Sequence, residues 1–224
     1  MTAGRRPAPS DTAFRLPGGA PPAPALAVFD LDGTLLPDTT SCREISRAAG
    51  RRTVIEDLEA AYDRGEIDSR AFAVSALQCW SDAGPGVYRR AFDTARFIGG
   101  IQECLSWLAG QRTRTVLVTM AHREFAECFE GFDRVCASSY PDSILNPEDK
   151  PRIVKQLMSD MSITRDDVIA FGDSTSDLPL FRTLSHTVAV NASPALTGIA
   201  AHHYLGDDLR EALRLVCPSA ELAR

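Results

Sequence analysis

The sequence predicts an α/β fold: a doubly wound parallel sheet with a helical subdomain inserted just after its first strand. Two observations carry this. From residue 25 onward, short apolar runs alternate with amphipathic stretches. That is the pattern of a parallel sheet with helices on both faces. More than eighty residues separate the first two strand candidates, far beyond an ordinary crossover.

The first strand, 26–30, lies within LAVFDLDGTLLP. Leu26-Ala27-Val28-Phe29 is an apolar run suited to burial on both faces. It ends in Asp30, with Asp32 two residues on, and carboxylates are costly to bury without partners. Gly33 follows and permits a sharp turn. Further strand candidates are 114–119, 134–137, 167–171 and 187–190. Between them, Ile101, Cys104, Leu105 and Leu108 recur at helical spacing, as do Ile153, Leu157 and Met161, with Val154 and Met158 beside them.

The long gap is largely helical. Val54, Leu58, Ala61 and Tyr62 share one face, and Ala73, Ala76, Leu77 and Trp80 share another. Breaks fall at GEID (65–68) and DAGPGV (82–87). Residues 38–97 therefore form a helical cap, and 25–37 with 98–217 form the core. Residues 1–24, rich in Pro, Ala and Gly, form a disordered tail, and residues 218–224 lie beyond the core as a C-terminal tail. Ligands of open parallel sheets bind beyond the carboxyl ends of the strands, so this cap covers the site.

Composition narrows the function. Apolar residues make up 44% and charged residues 24% of 224, as in ordinary globular proteins. The net charge of −6 argues against a nucleic acid partner, and no apolar run approaches a membrane span. Six cysteines are scattered without metal or disulfide spacing, which suits a reducing, cytoplasmic setting. His202-His203 reads as surface, Trp80 and Phe72 as cap core, and Arg43, Arg47, Arg89 and Arg90 as solvated cap faces, one of which is open to meeting an anionic part of the substrate.

The other strand ends explain the aspartates. VLVTM brings Thr119, VIAFGDSTSDLP brings Asp173 and Asp177, and Lys150 opens the 151–161 helix. Carboxylates converging without His or Cys suit a hard cation such as Mg²⁺. A lysine and a hydroxyl beside them suit phosphate.

In order, DLDGT, VLVT, Lys150 and GDSTSD resemble the four motifs of the haloacid dehalogenase-like (HAD) phosphohydrolase superfamily. That resemblance implies a Rossmann-like core. The inserted cap, RGEID and FIGGIQECLSWL are similar to the phosphoserine phosphatase-like branch. The resemblance implies Asp30 as nucleophile and Asp32 as general acid–base. It implies Thr119, Lys150 and backbone near Gly33 as the phosphate cradle. For Mg²⁺ it implies Asp30, the Asp32 carbonyl, Asp173 and Asp177, the last holding a metal water or bracing the lysine. The implied activity is hydrolysis of a small phosphate ester through an aspartyl phosphate. Transfer to another acceptor and a retired, binding-only fold are the alternatives.

Three departures bear on substrate. Where the branch has an ammonium-binding Glu, this chain has Thr39 or Thr40; Ala76 lies near the place of the carboxylate-binding Arg; and Met120-Ala121 replaces a glycine pair. Phosphoserine is therefore a poor match. Thr39, Thr40, Gln78 and His122 are the candidates for specificity.

Overall fold

The computed structural model describes residues 23–84 and 86–222. The expected tail at 1–24 lies outside the described residues apart from its last two. Of those, Pro24 accepts a hydrogen bond from Thr113 Oγ1 at 2.6 Å.

Among the described residues, six parallel strands form one sheet: β1 (Leu26–Phe29), β2 (Arg114–His122), β3 (Arg134–Ser138), β4 (Val168–Gly172), β5 (His186–Val190) and β6 (His202–Tyr204). Their order is β3-β2-β1-β4-β5-β6. This is a doubly wound, Rossmann-like sheet, and the order reverses between β1 and β4. β6 was not expected, because three residues with two histidines carry no apolar run. His203 is exposed there and His202 half-buried, on an edge strand. β2 runs past the expected 119 to His122, with a register irregularity against β3 between Val118 and His122.

Among the described residues, four α-helices follow β1 in the gap: α1 (Ser41–Ala48), α2 (Arg52–Asp63), α3 (Ser69–Trp80) and α4 (Val87–Thr94). Side chains set two of their starts. Thr40 accepts from the Arg43 amide at 3.1 Å, and Asp68, at the end of GEID, accepts from the Ala71 amide at 2.7 Å. The buried face of α2 differs from the expected one. Ile55 is fully buried and Val54 is 46% exposed, so the stripe is turned by one residue. α5 (Ile101–Gly110) leads into β2, and α6 (Arg123–Ala126) follows it. α7 (Asp149–Met161), α8 (Leu178–Phe181) and α9 (Leu209–Val216) complete the core.

Alternation along β1 splits the interior into two layers. Ala27 and Phe29 face a cluster shared with α5, α9 and the inserted helices, and Leu26 and Val28 face one shared with α7 and α8. Phe29 stacks on Phe171 at 4.8 Å, which locks β1 to β4 just below the aspartates. At the C-terminus, Ala220 and Leu222 are buried in the first cluster, and Arg214 donates to the Leu222 carbonyl at 3.3 Å. Two apolar residues without a period leave no sequence signal for that. Among the described residues, no helix is long and apolar enough to cross a membrane.

Candidate active site

The site stands where the strand order reverses. Phe29 is level with Phe171, and the Asp30 amide donates to the Phe171 carbonyl at 3.0 Å. Asp30 and the Gly172-Asp173 turn therefore emerge side by side. Thr119 rises from the neighbouring β2, and Lys150 enters from the first turn of α7.

Lys150 is the hub. Its Nζ lies 2.8 Å from Asp30 Oδ1, 2.7 Å from Asp177 Oδ1 and 3.2 Å from Ser176 Oγ, with all but 1% of the side chain buried. Burial alone would lower the Lys150 pKa, but Asp177 and Asp30 more than offset it and hold the ammonium charged. The second oxygen of Asp177 accepts from the amides of Asp173 at 3.0 Å and Ser174 at 3.3 Å. Both oxygens of Asp177 are thus committed to bracing the lysine and the turn.

Asp30, Asp173 and Asp177 each offer an oxygen within 4.8 Å of the others. The Asp32 side chain is not in this cluster. Burial raises the Asp30 pKa to about 7 against the pull of Lys150, and burial together with Asp30 raises Asp173 to about 8. Carboxylates crowded in this way resist ionising together unless a cation joins them. Two glycines make the crowding possible. A Cβ on Gly33, whose φ is +82°, would fall 2.1 Å from Asp173 Oδ2, and one on Gly172 would fall 2.4 Å from Asp177 Cγ.

Asp32 turns toward the inserted helices. Its carboxylate accepts from the Ser41 amide at 2.6 Å and from Ser41 Oγ at 3.0 Å, at the first turn of α1. Burial raises its pKa to about 6, and the two Ser41 bonds act in the opposite direction. A carboxyl poised there can release and take up a proton near neutrality.

Asp30, Asp32, Gly33, Thr39, Thr40, Thr119, Lys150 and Asp173 all line one cavity of about 680 Å³. The Thr119 hydroxyl accepts from the Ala121 amide at 3.1 Å. The threonine hydroxyls of the insertion are already engaged, Thr39 with Glu44 Oε1 at 3.0 Å and Thr40 with Glu59 Oε1 at 2.5 Å.

Two specificity candidates are placed elsewhere. Gln78 is exposed, beside Arg51 and Val54 on a separate shallow groove between α2 and α3. Its position on α3 faces away from the cavity. His122 is 4% exposed and stacks on Tyr88 at 4.8 Å, edge-on to Trp80 and Tyr140. Its Nδ1 accepts from the Glu124 amide at 3.3 Å, so it caps α6 rather than lining the cavity. Of the four cap arginines, Arg43 is the one on the cavity wall, where it pairs with Glu59. Ser41, which with Thr39, Thr40 and Gln78 reads from sequence as suited to a neutral hydroxylated substrate, instead holds Asp32; Glu59 and Tyr140 carry no sequence signal because only the tertiary fold brings them to the site.

His122 yields a stability prediction. Burial lowers its pKa from 6.5 to about 4. Below pH 6.5 the unfolded chain takes up a proton that the native imidazole refuses, so this contribution is present above pH 6.5 and lost as pH falls toward 4. The acidic cluster titrates with the opposite slope, so the comparison is with His122→Phe. Between pH 7.5 and 5, the variant is expected to gain about 1–2 kcal/mol relative to wild type. Parallel urea midpoints at both pH values would refute the neutral, buried assignment.

Residues 27–182 match the family model described as haloacid dehalogenase-like hydrolase. The chain belongs to that family. A phosphoserine phosphatase of Idiomarina loihiensis (strain ATCC BAA-735 / DSM 15497 / L2-TR) is 26% identical over 202 residues, covering 84% of this chain and 91% of the relative. A phosphoglycolate phosphatase of Nitrosopumilus maritimus (strain SCM1) is 41% identical over 88 residues, 36% of this chain and 37% of the relative. The HAD fold recurs in a phosphoserine phosphatase solved as a phospho-aspartyl intermediate analogue. That structure has TM-score 0.72 at 20% identity, covering 86% of this chain and 99% of that one. A HAD family hydrolase from Salmonella enterica subsp. enterica serovar Typhi has TM-score 0.73 at 21% identity, covering 90% and 74%. With these relatives, the chain is a phosphatase of the HAD family.

Proposed function

We propose that this protein is a Mg²⁺-dependent phosphomonoesterase that forms an aspartyl phosphate on Asp30 and hydrolyses a small phosphorylated metabolite other than phosphoserine. The observation that supports it best is the buried Lys150 bridging Asp30 and Asp177, with Asp173 alongside. Carboxylate oxygens gathered without His or Cys among them fit a hard cation. Asp30, Asp173 and the Asp32 carbonyl would hold Mg²⁺, whose charge would offset the repulsion between carboxylates and phosphoryl oxygens.

An Asp30 oxygen attacks phosphorus as the bond to the ester oxygen breaks, and Asp32 gives its proton to that departing oxygen. The Asp32 carboxylate then takes a proton from water as that water attacks the same phosphorus. This frees inorganic phosphate and restores Asp30. Thr119 and Lys150 hold the phosphoryl oxygens, and Ser41 orients Asp32. Asp177 acts through the lysine and the turn. Residues 38–97 act as the cap, closing over the leaving group and limiting water while Asp32 is still an acid. Six unpaired thiols support a cytoplasmic setting.

The test is hydrolysis of 4-nitrophenyl phosphate by the full chain. Turnover is expected with Mg²⁺, to vanish in excess chelator, and to fall when Ca²⁺ replaces Mg²⁺, because its larger, looser shell misplaces the nucleophile. Undiminished turnover in excess chelator would sink the metal assignment.

A further inference from the structure

We propose that Arg43 and Glu59 select the leaving group, and that the alcohol they select is neutral, polyhydroxylated and about the size of a sugar or cyclitol. This rests on the phosphatase reading above and deepens it. Arg43 comes from α1 and Glu59 from α2, and both line the cavity that holds Asp30 and Asp32. Glu59 is held on both oxygens: Oε1 accepts from Thr40 Oγ1 at 2.5 Å, and Oε2 pairs with Arg43 Nε. Its side chain is 14% exposed and that of Arg43 39%. An anchored carboxylate thus grips the arginine by its inner nitrogen. The terminal Nη groups are left to donate to a ligand.

Charge argues against an anionic ligand. The Arg43 charge is already matched by Glu59. The other charged side chains on the wall of the insertion, Asp38 and Asp63, are both acidic. A leaving group with its own carboxylate would meet a neutralised cation and two like charges, which disfavours it. A hydroxyl both donates and accepts, and it suits a wall where a charged donor stands beside a charged acceptor. Size points the same way. A cavity of about 680 Å³ far exceeds a two- or three-carbon ester, and it falls in the range of about 300–1,000 Å³ typical for larger ligands. Phe72 and Ile144 line it as well and offer apolar surface to ring carbons.

The experiment measures kcat/KM of the full chain with Mg²⁺ on a hexose phosphate, an inositol phosphate, phosphoserine, phosphoglycolate and phosphoethanolamine. 4-Nitrophenyl phosphate serves as the ester whose leaving group has no hydroxyl to offer. The hexose or inositol ester is expected to exceed phosphoserine and phosphoglycolate by about tenfold or more, the effect of about 1.4 kcal/mol. Arg43→Gln and Glu59→Gln are each expected to cut kcat/KM for the preferred ester about tenfold, mainly through KM. The ratio of that ester to the aryl ester should fall with it. A purely structural role would lower both esters together, along with the melting temperature. Glu59→Gln keeps the side-chain shape, so it carries the test should Arg43→Gln fold poorly. Preference for phosphoserine, phosphoglycolate or phosphoethanolamine would overturn the inference, as would equal loss on both esters in the two variants. Absence of aryl ester turnover in the wild type would instead overturn the phosphatase reading.

Discussion

Replacing Asp30 with Asn is expected to lower turnover by a factor on the order of 10⁴ or more, the scale seen when a covalent nucleophile is removed, while the fold persists. The amide is nearly isosteric, and its oxygen can still accept from Lys150 Nζ, which lies 2.8 Å from Asp30 Oδ1. It lacks the charge and lone-pair reactivity needed to attack phosphorus. Stability should hold or rise. Burial already pushes the Asp30 carboxyl up to about 7, with Asp177 and Asp32 adding repulsion, so the native state gains little from that charge. Initial rates with saturating Mg²⁺, a melting curve and acid-quenched labelling of the enzyme by a phosphate ester check all three points. A variant with wild-type rate, or one that still traps label, would disprove the covalent role of Asp30.

The core was legible because its signals are local. Leu26 to Phe29 is an apolar run that can only be central in a sheet, and the aspartates after it break the run where the chain leaves the core. Three strands and one helix start, in order, bring Asp30, Asp32, Thr119, Lys150 and Asp173 onto one cavity. The inserted helices were legible only as helices. Their amphipathic stripes are short, so a one-residue error separates Val54, which is exposed, from Ile55, which is buried. Which residue meets the ligand depends on how α1 and α2 cross, and no sequence period encodes that. Gln78 and Arg43 therefore exchanged places: the amide lies outside, the guanidinium on the wall. His122 was misread for a related reason. Its partners Tyr88, Trp80 and Tyr140 come from three separate segments, and only together do they make an apolar niche for an imidazole.

Lys150→Met is expected to damage stability and activity together, and the stability loss should depend on pH. Methionine matches the length of the lysine stem but brings no charge. The wild-type ammonium is 1% exposed and touches two carboxylates that are themselves buried. Removing one partner of a buried ion pair costs about 3–5 kcal/mol, because the remaining charge is left uncompensated. The remaining Asp30 has an alternative, which is to take up a proton. Its carboxyl already stands near 7 with the lysine present, and loss of that lowering influence raises it further. An acid whose folded pKa lies above its unfolded value of 3.8 destabilises the native state increasingly as pH rises between the two. The deficit of Lys150→Met should therefore be larger at pH 8 than at pH 5.5, where the protonated carboxyl is tolerated. Added Mg²⁺ should recover part of the stability at pH 8 by supplying positive charge to the same carboxylates. It should not recover turnover, because the one group that touches Asp30 and also holds the phosphoryl oxygens is gone. Urea midpoints at the two pH values, with Mg²⁺ and with chelator, read each of these differences. A variant as stable as wild type at pH 8 in chelator would mean that Lys150 does not neutralise this cluster.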